Sequence, residues 1–360
     1  MSQILTLSPL DTDLASVAPK VEYSTSTAVP TTSALAAQLG LLEEEFAFES
    51  DLEVTLPRKD LTATADLQRD GFWIRDANLV QAMRDRAAGH DSRLVALSFL
   101  ESSHPVITRA SSGIRSLADL KGKRLGIVTN WDKLLDLRSA QQLKIYTTAL
   151  STAGLTPRDV KFVSFERDET GDSPLRDRDV RTKAALEAGK DIAQRLERDE
   201  FDAVAVDSAS DVAHHASIRI LYDTLQHPDY LARAHPDTLL GVVVSGRLLR
   251  ERRDVVIRAL ARLLQAADWA RAHPKDAANE LAQTFDIGAD SLTGKYENLS
   301  EGLQINLGVE KILSLKAQKN FLLRHGLLGK DFDTDPWVDH GPLVEAHLLL
   351  AEWKSAGRRK

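Results

Sequence analysis

From about residue 20 onward, short runs rich in β-branched residues alternate with stretches of helical periodicity, and this alternation restricts the chain to α/β architectures. A β-prone tip at Val21 and Tyr23 opens the series. LEVTLP (52–57), SRLVALSFL (92–100), HPVITR (104–109), KRLGIV (123–128), VKFVSF (160–165), FDAVAV (201–206) and TLLGVVVS (238–245) read as strands. NLVQAMRDRAA (78–88) and SLADLKG (116–122) read as helices, as does 132–153, which Gly154 closes as a C-cap. A long helical region covers about 252–284, with Val256, Leu260, Leu263 and Leu264 on one side. The remainder to residue 356 is helical apart from the loop DFDTDPWVDHGP. Residues 166–200 are dense in mixed charge and read as a polar loop followed by an exposed helix, with Ile192 and Leu196 on its apolar stripe. With 360 residues there is material for two ordinary domains, each with its own core.

The formal net charge is −7, which argues against broad electrostatic attraction to nucleic acid or anionic lipid. An anion must therefore be caught locally, by a few aimed donors. There is no cysteine, which removes disulfides, thiolate nucleophiles, Cys-ligated zinc and iron–sulfur clusters together. The opening MSQILTLSPLDTDLASVAPK lacks a basic n-region, and Ser8, Asp11 and Asp13 interrupt its apolar run, so a cytoplasmic chain is the expectation. No apolar run approaches the ~18 residues that span a bilayer. His214 and His215 diverge by about 100° on a helix and have no acidic partner at ligand spacing. No glycine-rich phosphate loop occurs. Neither a metal nor a cofactor is expected.

Candidate ligand-binding positions follow from local chemistry. In EYSTSTAVPTTSALAAQLG (22–40), Ser24, Thr25, Ser26 and Thr27 precede a helix, where hydroxyls and free backbone N–H groups favour an anion. The plainer reading is that Thr31, Thr32 or Ser33 caps that helix. Arg75 in GFWIRD offers a guanidinium fork suited to a carboxylate, sulfinate or sulfonate, with Trp73 beside it to pack the apolar part. The alternative is a surface pair between Arg75 and Asp76, of little energy. Asn130, Trp131 and Asp132 follow the strand KRLGIV and open a helix, where they line a cleft or serve as a cap and a core cover. His104 and Asp207, each at the end of an expected strand, form a candidate acid/base or orienting pair, against the commoner role of a structural histidine.

The segments LAAQLGLLEEE, SLADLKGKRLGIV, ALSTAGLTPRDVKFVSF and FDAVAVDSASDVA occur in an order that resembles the type II periplasmic solute-binding proteins, in the sulfonate, taurine and thiamine-precursor branch. Within it the chain is similar to the 2′-hydroxybiphenyl-2-sulfinate desulfinases, through its charged insertion and through KNFLLRHGLL followed by DPWVDHGPL. The resemblance implies a two-lobed α/β fold. After an N-terminal extension (1–20), 21–103 and 246–360 form one lobe and 110–237 the other, with 104–109 and 238–245 crossing between them. It also implies an anionic small-molecule ligand in the interlobe cleft. The desulfinase cysteine falls where this chain has only Ser24–Thr27, and its histidine falls near 62–67, where there is none. Arg75 matches the family's arginine. The expectation is thus a lyase- or hydrolase-type enzyme without a thiol, using His104, Asp207 and Arg75. The alternative is a non-catalytic binder, a sensor or the partner of an ABC permease.

Overall fold

The structure, a computed structural model, describes residues 19–26, 29–57, 71–129, 137–166, 191–206, 216–235, 238–285 and 287–357. Among the described residues, ten strands form two five-stranded sheets: β1 (Lys20–Thr25), β2 (Glu53–Thr55), β3 (Phe72–Asn78), β4 (Ser92–Phe99), β5 (Pro105–Arg109), β6 (Arg124–Thr129), β7 (Lys161–Glu166), β8 (Ala203–Ala205), β9 (Ile218–Asp223) and β10 (Leu239–Ser245). The first sheet runs β2-β1-β3-β10-β4 and the second β7-β6-β8-β5-β9. In each, three neighbouring strands are parallel and the fourth is antiparallel to both its neighbours. That fourth position is filled by β10, arriving from the second sheet, and by β5, arriving from the first. Both sheets are thus built on one plan. HPVITR and TLLGVVVS, expected to cross, each pair on two sides within a single sheet, and the chain passes between the sheets after β4, over 100–104, and again after β9.

Alternating side chains give the first sheet two apolar faces. Val21, Tyr23, Ile74, Val242 and Val244 face a core built with the helices Thr32–Gln38, Arg253–Ala272, Pro274–Phe285 and Gly341–Ser355. The opposite face carries Val243 and Leu94, packed with Leu79, Val80 and Met83 of the helix Leu79–Ala87 and Leu315, Phe321 and Leu322 of the helix Val309–Arg324. Ala140 and Leu143, from the helix Leu137–Thr152 that packs on the second sheet, join this same cluster. This face of the first sheet therefore looks toward the other half of the molecule.

Three readings gain detail from the structure. The helical region expected near 252–284 is made of two helices, Arg253–Ala272 and Pro274–Phe285, because Pro274 cannot continue the hydrogen-bond ladder of the helix before it. β3 and β9 lie where no strand is expected; polar Arg75 and Asp76 hide the first. Among the described residues of the charged insertion, 191–197 is helical with Gln194 and Glu197 exposed, and its apolar stripe buries Ile192 and Leu196 with Phe165 and Phe201. Among all the described residues, no helix is long and apolar enough to cross a membrane.

Candidate functional site

Strand parity sorts the opening hydroxyl run. Tyr23 and Thr25 point to the core of the first sheet, where Tyr23 Oη lies 2.8 Å from Ser33 Oγ and Thr25 Oγ1 is hydrogen-bonded to Thr31 Oγ1. Thr31 is the N-cap of the helix Thr32–Gln38, its hydroxyl accepting from Ala34 N at 3.0 Å. Asp76 closes the network, accepting from Ser33 N at 3.0 Å through Oδ2. Burial pushes the Asp76 carboxyl above its ordinary range, opposed by hydrogen bonds from Ser33 and Thr31. Burial, with the nearby Asp76 charge, pushes the Tyr23 hydroxyl up as well. Thr25, Thr31 and Ser33 are thus committed to structure. Ser26 N donates to Asp76 O at 2.9 Å and its hydroxyl accepts from Val29 N at 3.1 Å, a local turn contact.

Ser24 points the other way. Its Cα pairs in register with Arg75 of β3, which in turn pairs with Val243 of β10, so all three share the face toward the second sheet. Parallel neighbours lie about 4.8 Å apart. Trp73, two residues before Arg75, is on the same face and packs against its apolar cluster, with Glu22 beside it in register. Ser24 Oγ and Trp73 Nε1 are buried and have no hydrogen-bond partner among the described residues. The Arg75 guanidinium has no ion pair among them either; burial holds its pKa below the ordinary value, with the negative charge of Asp85 acting in the opposite sense. The alternative of an Arg75–Asp76 surface pair is not realised, because consecutive strand residues face opposite sides. Two unpaired donors and a poorly compensated cation sit side by side, the arrangement an anion with an apolar body completes.

His104 is almost wholly buried (1% exposed). Ser102 Oγ lies 2.9 Å from its Nε2 and Gln141 Nε2 lies 3.1 Å from its Nδ1. The ring stands edge-on to His235 at 4.1 Å between centroids. Burial, reinforced by the Lys295 charge, lowers its pKa to about 3, against a hydrogen bond to the Val206 backbone. A neutral imidazole so enclosed is a packing and hydrogen-bonding group at neutral pH. Thr27, Asn130, Trp131, Asp132 and Asp207 lie outside the described residues. Among the described residues, no group of three His, Cys, Asp or Glu side chains could hold a metal ion.

Sequence reasoning passed over two residues of the helix Leu79–Ala87. Gln81 Nε2 donates to Asp85 Oδ1 at 2.7 Å, and Asp85 also lies 3.8 Å from His90 Nδ1. The Gln81–Asp85 spacing of four residues was visible as a helical pair, but nothing local ties it to Arg75.

Two five-stranded sheets on one plan, with an anion-ready face between them, define a solute-binding-protein scaffold. The chain belongs to the NMT1/THI5-like family, whose profile matches residues 77–277, more than half of it. That segment includes Gln81, Asp85 and His104 and begins just after Arg75. No curated protein matches by sequence. Among solved structures, a cysteine-to-serine variant of DszB in complex with biphenyl-2-sulfinic acid is similar, at TM-score 0.68 and 18% identity, over 92% of this chain and all of that one. The putative periplasmic sulfonate-binding protein SsuA from Methylobacillus flagellatus KT aligns at TM-score 0.65 and 15% identity, over 92% of this chain and 96% of that one. The alkanesulfonate-binding protein SsuA from Xanthomonas axonopodis pv. citri, bound to MOPS, aligns at 0.54 and 19%, over 89% and 98%. These likenesses establish the fold.

Proposed function

We propose that this chain binds a small organic anion of the sulfonate or sulfinate class, without turning it over, on the face formed by Ser24, Trp73 and Arg75. One observation carries the reading: a desolvated arginine lacking an ion pair stands in register beside an unpaired buried hydroxyl, with an unpaired indole N–H on the same face. The fork geometry of guanidinium suits two oxygens of one headgroup, and the apolar cluster beneath suits the ligand's carbon body. Structures of this fold hold such ligands, MOPS in one and biphenyl-2-sulfinic acid in another. The lobes of this reading are 21–103 with 246–360, and 110–237, with the ligand in the cleft between them. An ABC permease is the partner that suits a binder of this fold.

The enzymatic alternative has less support. The chain has no cysteine, so a thiolate mechanism is unavailable. The neutral, enclosed His104 is a poor proton donor at neutral pH.

Calorimetric titration with MOPS, ethanesulfonate, benzenesulfinate and the matching carboxylates tests the reading. Arg75→Ala removes a charge-assisted contact and is expected to cost about 1.5–3 kcal/mol, roughly 10- to 150-fold in affinity. Arg75→Lys recovers part of it, since an ammonium lacks the fork. No binding of any member, or equal affinity in wild type and Arg75→Ala, overturns the proposal. Conversion of a bound ligand, seen by mass spectrometry, would put the enzyme first.

A further inference from the structure

The helix Leu137–Thr152 packs on the second sheet and the helix Val309–Arg324 on the first, and where the two meet three basic side chains gather around one aromatic ring. Lys144 Nζ, from the first of these helices, stands 5.7 Å from the centroid of the Phe321 ring. The His325 ring lies 4.5 Å from Phe321, centroid to centroid. Arg324, three residues after Phe321, is exposed on the same flank of the helix end. None of the three makes an ion pair among the described residues. Asp229 is the acid whose charge acts on Lys144, but its carboxylate is engaged as a helix cap, accepting from Leu231 N at 2.9 Å. Burial holds the Lys144 ammonium below its ordinary pKa, and the Arg324 charge adds to that effect. Burial, then Arg324 and Lys144, hold the His325 imidazole down in the same way. Arg75 is not among the charges acting on either group, so the cluster is electrostatically separate from the face formed by Ser24, Trp73 and Arg75.

A helix C-terminus attracts cations, which accounts for Arg324 and His325. It does not account for Lys144, in the middle of a helix on the other half of the molecule, half-buried where its cationic neighbour repels it. Such repulsion across a seam is relieved by an anion, and several oxygens on one anion can accept from all three groups. We propose that Lys144, Arg324 and His325 form a second anion site, at the seam between the two halves, which takes a divalent tetrahedral oxyanion and through it ties the halves together. Phe321 is its floor. The competing explanation is a set of solvated cations that happen to share a ring.

Magnetic resonance of the ten histidine rings reads the site directly, because His325 belongs to it. Its signals are assigned by their loss in His325→Gln. Sodium sulfate is titrated into the full chain at constant pH, with sodium chloride holding the ionic strength fixed. The His325 signals are expected to move saturably, as a general salting effect would not. Lys144→Met keeps the apolar stem over Phe321 and removes the charge. It is expected to weaken sulfate binding by roughly 10- to 150-fold, the range of one charge-assisted contact. Arg324 is exposed, so Arg324→Glu tests the site without disturbing a core. Reversing that charge is expected to weaken binding by roughly 2- to 30-fold, twice the range of an exposed ion pair. If Lys144→Met fails to fold, Arg324→Glu decides alone. The response is expected to persist in Arg75→Ala; its loss there would place the sulfate on the first sheet and overturn the proposal. The absence of saturable movement in wild type also overturns it, as does wild-type affinity in Arg324→Glu or in folded Lys144→Met.

Discussion

Burial governs three ionisable residues of the first sheet and its exit, and in each it disfavours the charged form. Asp76 is pushed up and Arg75 down, on opposite faces of one strand, so neither neutralises the other. His104 is lowered to about 3, chiefly by burial. In the unfolded chain a histidine titrates near 6.5. Below that pH the unfolded state takes up a proton that the folded state refuses until about 3. Stability is therefore lost as pH falls through this window, at up to about 1.4 kcal/mol per pH unit from this residue. Urea denaturation of wild type and His104→Gln at pH 7.5, 6 and 5 checks it. The variant is expected to be less stable at pH 7.5, through lost packing with His235, yet to show a shallower decline on acidification. Parallel declines would mean that the histidine is protonated in the folded protein. The sequence revealed His104 as a histidine at a junction, but not its enclosure by Ser102, Gln141 and His235, contacts that only the fold brings together. The hydroxyl run was similar: its composition was visible, while the division of Ser24 from Thr25 depended on knowing that both lie in a strand.

Elements were legible where their apolar period was clean. β4, β6 and β10 fall within a residue or so of the expected limits, because strands buried on both faces read as near-continuous apolar runs. β6 and β10 do so at central positions, and β4 at the sheet edge under its covering helices. β3 was missed because FWIRDAN places two charges in its middle, and those charges are what make it interesting. β10 carries the closest packing constraint on the site. A Cβ at Gly241 would stand 2.6 Å from Leu79 Cδ2 and 2.8 Å from Leu94 Cδ1. Gly241→Ala should then cost about 1–3 kcal/mol of stability by overpacking, and the strain falls on the helix that bears Gln81 and Asp85. Gly126 in β6 is the control: its Cβ would meet Phe165 at 2.9 Å and Phe201 at 3.0 Å, in the other sheet. Both alanine variants are expected to lower the urea midpoint, and only Gly241→Ala to weaken sulfonate binding as well. Loss of binding in both variants would mean that general destabilisation, rather than the position of the helix, controls the site.

At the scale of the whole molecule, the two sheets repeat one topology and are joined by two chain passages that lie side by side. Thr224 binds them together: its hydroxyl accepts from His104 N and donates to Ser102 O, each at 3.0 Å, while Ser103 Oγ donates to Asp223 Oδ2. Paired links of this kind permit rotation about one axis far more readily than sliding, the geometry of hinge closure. The order of the strands and the presence of two crossings were expected from sequence; the contacts that tie the crossings together were not, since they join residues about 120 positions apart. If the ligand sits between the two halves, binding should draw them together. Small-angle scattering is expected to show a smaller radius of gyration for wild type with saturating ligand than without, starting from about 21 Å for a compact chain of this length. Arg75→Ala at the same ligand concentration should not contract. Linkage supplies a parallel measure: at a ligand concentration 100 times Kd the folded wild type gains about 2.7 kcal/mol, and its thermal midpoint rises, whereas that of Arg75→Ala moves far less. A thermal shift without contraction would keep the anion site on the first sheet and remove the closing cleft, because the ligand would then be held by one half of the molecule alone.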